Sequence, residues 1–348
     1  MTKKSIKELG EFGLIDHLTS DIKTTNESSI YGIGDDAAIL DHGGRETVVT
    51  SDILMEGIHF DLVYTPLKHL GYKSIIVNLS DIYAMNGKPE QVIVSIAISS
   101  KFSLQALDDL YAGMKEACRI HHVDIVGGDT TSSLTGVAIS ITAIGSVEKG
   151  KAVKRSTAKN KELICVSGDL GAAYLGLQLL EREKKIFMKD PRIQPKLNQY
   201  PYVLERQLKP EARKDVTGLL ADNGITPSAM IDISDGLSSD ILHIAKQSGL
   251  GCRLYEDKIP IGIETRKVAE EFNMDPGIAA LNGGEDYELL FTVPLSEHEK
   301  IPSIPGISII GHMVPESQGY MLVARNGNEI PLQAQGWNPL SGEEKTEN

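Results

Sequence analysis

The stretch AMIDISDGLSSDILHIAKQS (229–248) carries the pattern that decides the fold. Its first five residues, Ala229–Ile233, read as a buried strand, and Gly236–Ser248 reads as a helix. Asp232 and Asp235 stand at the junction. An aspartate leaving a buried strand is placed at the mouth of a site, where loops carry function on a rigid scaffold. The alternation continues on both sides. Upstream come a strand at Leu163–Ser167, a helix at Ala172–Glu183, a surface excursion rich in Lys, Pro and Gln at Lys184–Pro210, and a helix at Glu211–Asn223. Downstream, strands and helices alternate to about residue 332, before a polar tail at Ser341–Asn348.

The amino-terminal half mixes strands and helices in a similar way. An opening helix is expected at Ser5–Leu18, a Gly/Asp-rich turn at Gly32–Asp36, and strands at Thr47–Ser51, Gln91–Ser99, Val123–Val126 and Leu134–Val147. Helices are expected at Leu67–Asn86, closed by Gly87 and Pro89, and at Ser103–His121. In the last of these strands Val137, Ile139 and Ile141 share one face, and Ala138, Ser140 and Thr142 the other. Small residues on that second face suit cover either by helices of the same chain or by a second copy. The basic stretch Lys149–Lys161 is the domain boundary, giving domains at 1–149 and 150–338 and a tail at 339–348. The fold class is α/β (α+β) in two domains.

With 348 residues the chain can bury two ordinary cores. No apolar run is long enough to span a bilayer and the amino terminus lacks a signal-peptide stretch, so a cytoplasmic protein without a membrane partner is expected. Cys118, Cys165 and Cys252 are far apart and lack CxxC spacing, which points to buried free thiols rather than disulfides or zinc. The net charge of −13 disfavours a nucleic-acid partner. It also means that an anionic substrate needs a cation between itself and the protein.

Six acidic motifs stand out: Gly-Ile-Gly-Asp-Asp (32–36), Thr-Ser-Asp (50–52), Asn-Leu-Ser-Asp (78–81), Gly-Gly-Asp-Thr-Thr (127–131), Asp-Ile-Ser-Asp-Gly (232–236) and Gly-Gly-Glu-Asp-Tyr-Glu (283–288). Singly, each is ordinary turn chemistry. Two carboxylates about 4 Å apart repel by roughly 4 kcal/mol at an effective dielectric near 20, so several that converge need protons or cations. Oxygen ligands without His or Cys suit Mg²⁺, which keeps positions free for water and phosphate. No Walker-type loop, protein-kinase set or dinucleotide fingerprint is present. Residue chemistry alone therefore reaches a magnesium-dependent enzyme acting on a phosphate.

GIGDDAAI, TSDILMEGIHF, NLSDIYAMNG, VGGDTT, DISDGLSSD and NGGEDYELLF together resemble the signature blocks of the thiamine-monophosphate kinase family, in family order from about Gly10 to Trp337. That family belongs to the aminoimidazole ribonucleotide synthetase-like superfamily. The resemblance implies a two-domain fold of that type, with an amino-terminal mixed sheet plus helices and a carboxy-terminal α/β sandwich. It implies direct transfer of the ATP γ-phosphoryl group to thiamine monophosphate, several Mg²⁺ ions per site, and a homodimer formed through the amino-terminal domains. A reactive Cys near the amino terminus or a terminal Cys, expected of selenophosphate synthetase or hydrogenase-maturation relatives, is absent. A non-catalytic nucleotide- or metal-binding regulator on the same scaffold is the alternative; it needs fewer ligands.

By the same resemblance Asp36, Thr50, Ser51, Asp52, Asp81, Asp129, Asp232 and Asp235 are metal ligands. Asp81, expected to end a helix turn that faces the cluster, is the candidate to bridge ions, and Asp35 is expected to cap its turn. Gly128, Asp129, Arg155, Ser234 and Tyr111 meet ATP. His59, Glu285 and Trp337 meet the acceptor, Glu285 through the pyrimidine and Trp337 by stacking on the cationic ring. No general base is expected, because the attacking phosphate oxygen is already anionic.

Overall fold

The computed structural model describes residues 17–31, 39–99 and 102–334. The 32–36 turn with Asp35 and Asp36, Trp337, the polar tail and most of the expected opening helix lie outside the described residues. Strands β1 (Ser29–Tyr31) and β2 (Ile39–Leu40) form a small antiparallel ribbon.

The first large sheet holds β3 (Glu46–Met55), β4 (Lys88–Ile98), β5 (Asp124–Ser132) and β6 (Ala138–Val147), in the order β3-β6-β4-β5. Helices α1 (Leu67–Ala84) and α2 (Leu104–His121) cover one face. Ser103 caps α2, its hydroxyl accepting from the Ala106 N–H, as a serine ahead of an apolar helical run predicts. Leu70, Ile75 and Leu79 of α1 pack with Leu107, Leu110 and Met114 of α2 on Val92, Val94, Ile139 and Ile141. β4 and β5 are parallel, joined through α2, whereas β3–β6 and β6–β4 are antiparallel.

Several strands run longer than the sequence reading. β3 continues to Met55, and β5 passes through Gly127 and Gly128 to Ser132. Gly128 is required by packing: a Cβ there would lie 2.0 Å from the Val94 carbonyl oxygen of the neighbouring strand. Among the described residues the second face of this sheet is open. Val49 and Ile53 of β3 are 62% and 54% exposed on it, beside the small residues of β6.

The second sheet has seven strands, β7 (Leu163–Ser167), β8 (Ala229–Asp232), β9 (Leu250–Tyr255), β10 (Leu289–Val293), β11 (Ile307–Pro315), β12 (Tyr320–Val323) and β13 (Glu329–Pro331). Their order is β13-β12-β9-β11-β7-β10-β8, antiparallel except for the β9–β12 pair. Both faces are covered. In β10, Leu290 joins a core with α6 (Leu237–Gln247), while Leu289, Phe291 and Val293 join another with Val216 and Leu220 of α5 (Lys214–Asp222). This is why β7, β8 and β10 read as continuous apolar runs rather than alternating ones.

The expected surface excursion at 184–210 needs correction. Helix α3 (Ala172–Lys189) runs through its start, and α4 (Pro201–Leu208) occupies its end, with Val203 and Gln207 buried. Pro201 opens α4 at a position where its fixed φ is already helical. A lone i, i+4 pair of buried residues amid Lys, Pro and Gln was too weak a signal of burial. Two shorter helices, α7 (Ile263–Glu271) and α8 (Pro276–Asn282), complete this layer. The cysteines are all buried and free.

Candidate active site

A cleft of about 1030 Å³ lies where α1 meets the end of β8. Asp52, Asp81 and Asp232 line it together. Each arrives by a different route. On β3, Asp52 alternates with the exposed Ser51 and Ile53 and so points to the helix-covered face. Asp81 sits in the last turn of α1, and Asp232 is the final residue of β8. The Asp52 backbone N–H donates to Asn78 Oδ1 (3.0 Å), Thr50 Oγ1 donates to Asp81 (2.6 Å), and Ser80 Oγ donates to Asp232 (2.7 Å).

Burial together with mutual repulsion sets their acidity. Burial, then the Asp81 charge, pushes Asp52 up to about 6. Burial, then Asp81, pushes Asp232 up to about 7, against the opposing pull of Ser80 and Arg155. Asp81 is also raised, by burial, with the Thr50 hydroxyl and the Arg155 charge working the other way. Such carboxylates ionise less readily than ordinary ones, and a bound cation would favour their charged forms. The donor set fits Mg²⁺, being hard oxygen throughout and short of positive charge.

The turn after β8 is clamped by the 283–288 loop. The N–H groups of Glu285 and Tyr287 donate to the carbonyls of Ser234 and Ile233 at 2.8 and 2.9 Å, and Ile233 donates back to Glu288. Gly284 permits this closeness, since a Cβ would stand 2.3 Å from the Ser234 carbonyl oxygen. Glu285 and Tyr287 adopt left-handed backbone, with φ of 67° and 51°. Ser234, Asp235 and Glu285 thereby line the cleft. Asp286 and Glu288 turn inward instead. Asp286 accepts from the Gly171 N–H (2.7 Å) at the start of α3, and Glu288 is bound by Arg206 (2.9 Å), Arg213 and Ser167. These two acids hold the loop; they do not face the cleft.

His59 lines the cleft on the loop after β3. Its Nδ1 accepts from the Met55 N–H at 3.0 Å, so a neutral ring carries its proton on Nε2. Burial lowers its pKa, with Glu285 raising it and Lys73 lowering it further. Tyr64, Glu181 and Lys184 line the cleft too, linked by Tyr64–Glu181 (2.9 Å) and Lys184–Asp61 (2.5 Å) contacts.

Two family models match this chain, AIR synthase related protein N-terminal domain over residues 34–147 and AIR synthase related protein C-terminal domain over 163–329. The thiamine-monophosphate kinase of Bacillus subtilis (strain 168) is 33% identical over 339 residues, 95% of this chain and 99% of that protein. This chain belongs to the thiamine-monophosphate kinase family. Among solved structures, AaThiL complexed with AMPPCP and TMP is 30% identical with a TM-score of 0.72, covering 97% of this chain and 99% of that one. Thiamine-monophosphate kinase from Stenotrophomonas maltophilia K279a is 30% identical with a TM-score of 0.75, covering 91% and 96%. The architecture of two mixed sheets with helices is that of the family.

Within this family fold, the residues expected to act together divide in two. Asp52, Asp81, Asp232, Ser234, Asp235, Glu285 and His59 line one cleft. Thr50 reaches it through Asp81, and Arg155, exposed on a short turn at Arg155–Thr157, acts electrostatically on Asp81 and Asp232. Ser51 points away, its hydroxyl 2.9 Å from that of Thr142 on the open face of the sheet. The register sets Asp129 beside Ser95, also on that face, where its carboxylate accepts from the Thr130 N–H. Tyr111 is 6% exposed within the α2 core. Asp36 and Trp337 lie outside the described residues.

Lys73 and Gln207 lie outside the motifs, and Asn78 and Ser80 lie within the 78–81 motif without a role of their own. Lys73, Val77 and Asp81 lie on one helical face at i, i+4 and i+8, a spacing that ties the lysine to the acidic cluster. Gln207 gave no comparable signal, because its helix was missed.

Proposed function

We propose that this chain phosphorylates thiamine monophosphate with ATP, producing thiamine diphosphate and ADP, in the cleft between its two sheets. The observation that carries this reading is the meeting of Asp52 and Asp81 from one half with Asp232 from the other. Membership of the family supplies the reaction; the geometry supports its location. Mg²⁺ is part of the proposal, held by Asp52, Asp81 and Asp232 with Asp36 and Asp235. When bound it screens the phosphate charges and stabilises the charge that develops on the transferred group.

The chain's own residues do the remaining work. Ser80, Thr50 and Asn78 fix the acidic groups, so that little reorganisation accompanies transfer. Arg155 adds positive charge at the phosphate side, and Ser234 offers a hydroxyl to the nucleotide. Neutral His59 offers an Nε2–H donor to the acceptor, and Glu285 accepts from the donors on its heterocycle. No side chain needs to remove a proton from the nucleophile, an already anionic phosphate oxygen.

The homodimer belongs to the same proposal. Val49, Ile53 and Met55 expose apolar area on the open face of the first sheet, alongside the small residues of β6. Asp129 and Ser51 share that face, so a second copy there would enclose them. The domain division at 149–150 and a cytoplasmic location complete the reading; among the described residues no helix is long and apolar enough to cross a membrane. The test is incubation of purified protein with ATP, MgCl₂ and thiamine monophosphate, with chromatographic detection of thiamine diphosphate. Its formation with an equal amount of ADP is expected, and its absence at every magnesium concentration overturns the reading.

A further inference from the structure

Phosphoryl transfer leaves one buried cation unexplained. Lys73 is only 4% exposed, midway along α1. Its Nζ donates to the Gln207 carbonyl at 3.1 Å and pairs with Glu285 Oε1 at 2.9 Å. Gln207, itself buried, donates Nε2 to Glu285 Oε2 at 2.7 Å. Each carboxylate oxygen of Glu285 is thus held by a donor from a different helix, while its backbone is held in the left-handed region by the Ser234 contact. Packing alone has no use for this lysine, since an apolar side chain of similar volume would fill the space without desolvating an ammonium.

We propose that Lys73 and Gln207 form a fixed anchor for Glu285, making it a charge-neutralised, hydrogen-bond-accepting wall that selects the acceptor by the N–H donors of its neutral heterocycle rather than by its positive charge. The proposal rests on the reading of this cleft as the site of thiamine monophosphate. A lysine in contact with the carboxylate cancels its net charge, so a cationic ring nearby gains little from Coulomb attraction. Directional bonding survives: each oxygen keeps a lone pair for the cleft, already oriented, so an amino group on the ligand meets an acceptor that loses little freedom on binding. Lys73 is a positioning residue here, acting through Glu285, and Gln207 completes the fork.

The test is a double-mutant cycle read on KM with wild type, Lys73→Met, Glu285→Gln and the double variant. In Lys73→Met the KM for thiamine monophosphate rises about tenfold or more, as when one partner of a buried pair is removed. The KM for ATP and kcat at saturation stay within about twofold, because only acceptor binding is touched. Added to Glu285→Gln, Lys73→Met has no further effect, and Lys73→Arg restores most of the wild-type KM. An unchanged acceptor KM, an equal rise in both KM values, or full additivity of the two substitutions overturns the proposal. Should Lys73→Met lose cooperative unfolding, Gln207→Leu replaces it with the same expected contrast between acceptor and ATP. Calorimetric binding of thiamine monophosphate reads the same cycle without turnover. Wild-type protein that binds this compound but transfers nothing sinks the kinase reading alone; wild-type protein that does not bind it sinks both.

Discussion

The Ser80 hydroxyl donates to Asp232 at 2.7 Å and so ties the last turn of α1 to the end of β8. The contact brings the two sheets into one site and pulls down the pKa of the most buried carboxylate in the acidic cluster. In Ser80→Ala, Asp232 loses a donor that pulls its pKa down, so the acid limb of the kcat/KM profile moves to higher pH. Unfolding free energy at pH 8, measured in urea, falls by about 1–3 kcal/mol, the cost of an unsatisfied buried acceptor. A pH profile superimposable on wild type contradicts this.

The raised pKa values of these carboxylates set a pH dependence of stability. Asp52, at about 6, and Asp232, at about 7, both lie above their ordinary value of 3.8. The folded chain therefore holds protons that the unfolded chain has released. The stability they contribute is complete below about pH 4 and is lost as pH rises through 6 and 7. Metal-free wild type should thus lose this contribution between about pH 4 and 7. The pair Asp52→Asn and Asp232→Asn together should remove that slope and melt higher than wild type at pH 8. Added MgCl₂ should stabilise wild type at pH 8 but hardly affect the double variant. Parallel curves of melting temperature against pH overturn the assignment.

Asp81 is positioned by Thr50 and shares its charge with both other acids. Asp81→Asn should lower kcat by at least about a hundredfold, the scale of losing one electrostatic contact in a preorganised site. Its circular dichroism and melting cooperativity should match wild type. Near-normal turnover removes Asp81 from the metal site.

On the open face of the first sheet, Ile53 is more than half exposed. Ile53→Glu places a charge in the centre of the surface assigned to the second copy, where a desolvated unpaired carboxylate costs several kcal/mol. Analytical ultracentrifugation should show a dimer for wild type and a monomer for the variant, with unfolding of the monomer still cooperative. A variant that stays dimeric moves the interface elsewhere.

Much of the fold was legible because strand and helix differ in period and because both faces of the second sheet are buried, giving apolar runs such as Leu289–Val293. The acidic motifs were legible as motifs. What periodicity could not reveal was the face from which each approaches. Asp52 and Ser51 are neighbours in sequence, yet alternation sends one to the cleft and the other to Thr142. Asp129 has the same motif character as Asp232, yet register puts it on the open face. Among Glu285, Asp286 and Glu288, only the left-handed backbone at 285 and 287 separates the acid facing the cleft from the two that brace the loop. Lys73 was hidden for a different reason: a buried lysine is uncommon, and its partners, Gln207 on α4 and Glu285 in the 283–288 loop, are far away in sequence.

The most direct measurement follows ³¹P resonances in one mixture of protein, ATP and thiamine monophosphate, before and after MgCl₂, for wild type and for Asp232→Asn. In wild type the ATP γ-phosphate signal should decline only after magnesium is added, as thiamine diphosphate and ADP appear one for one, and Asp232→Asn should leave the spectrum unchanged. Orthophosphate in place of thiamine diphosphate, or equal transfer with the metal chelated, contradicts the account.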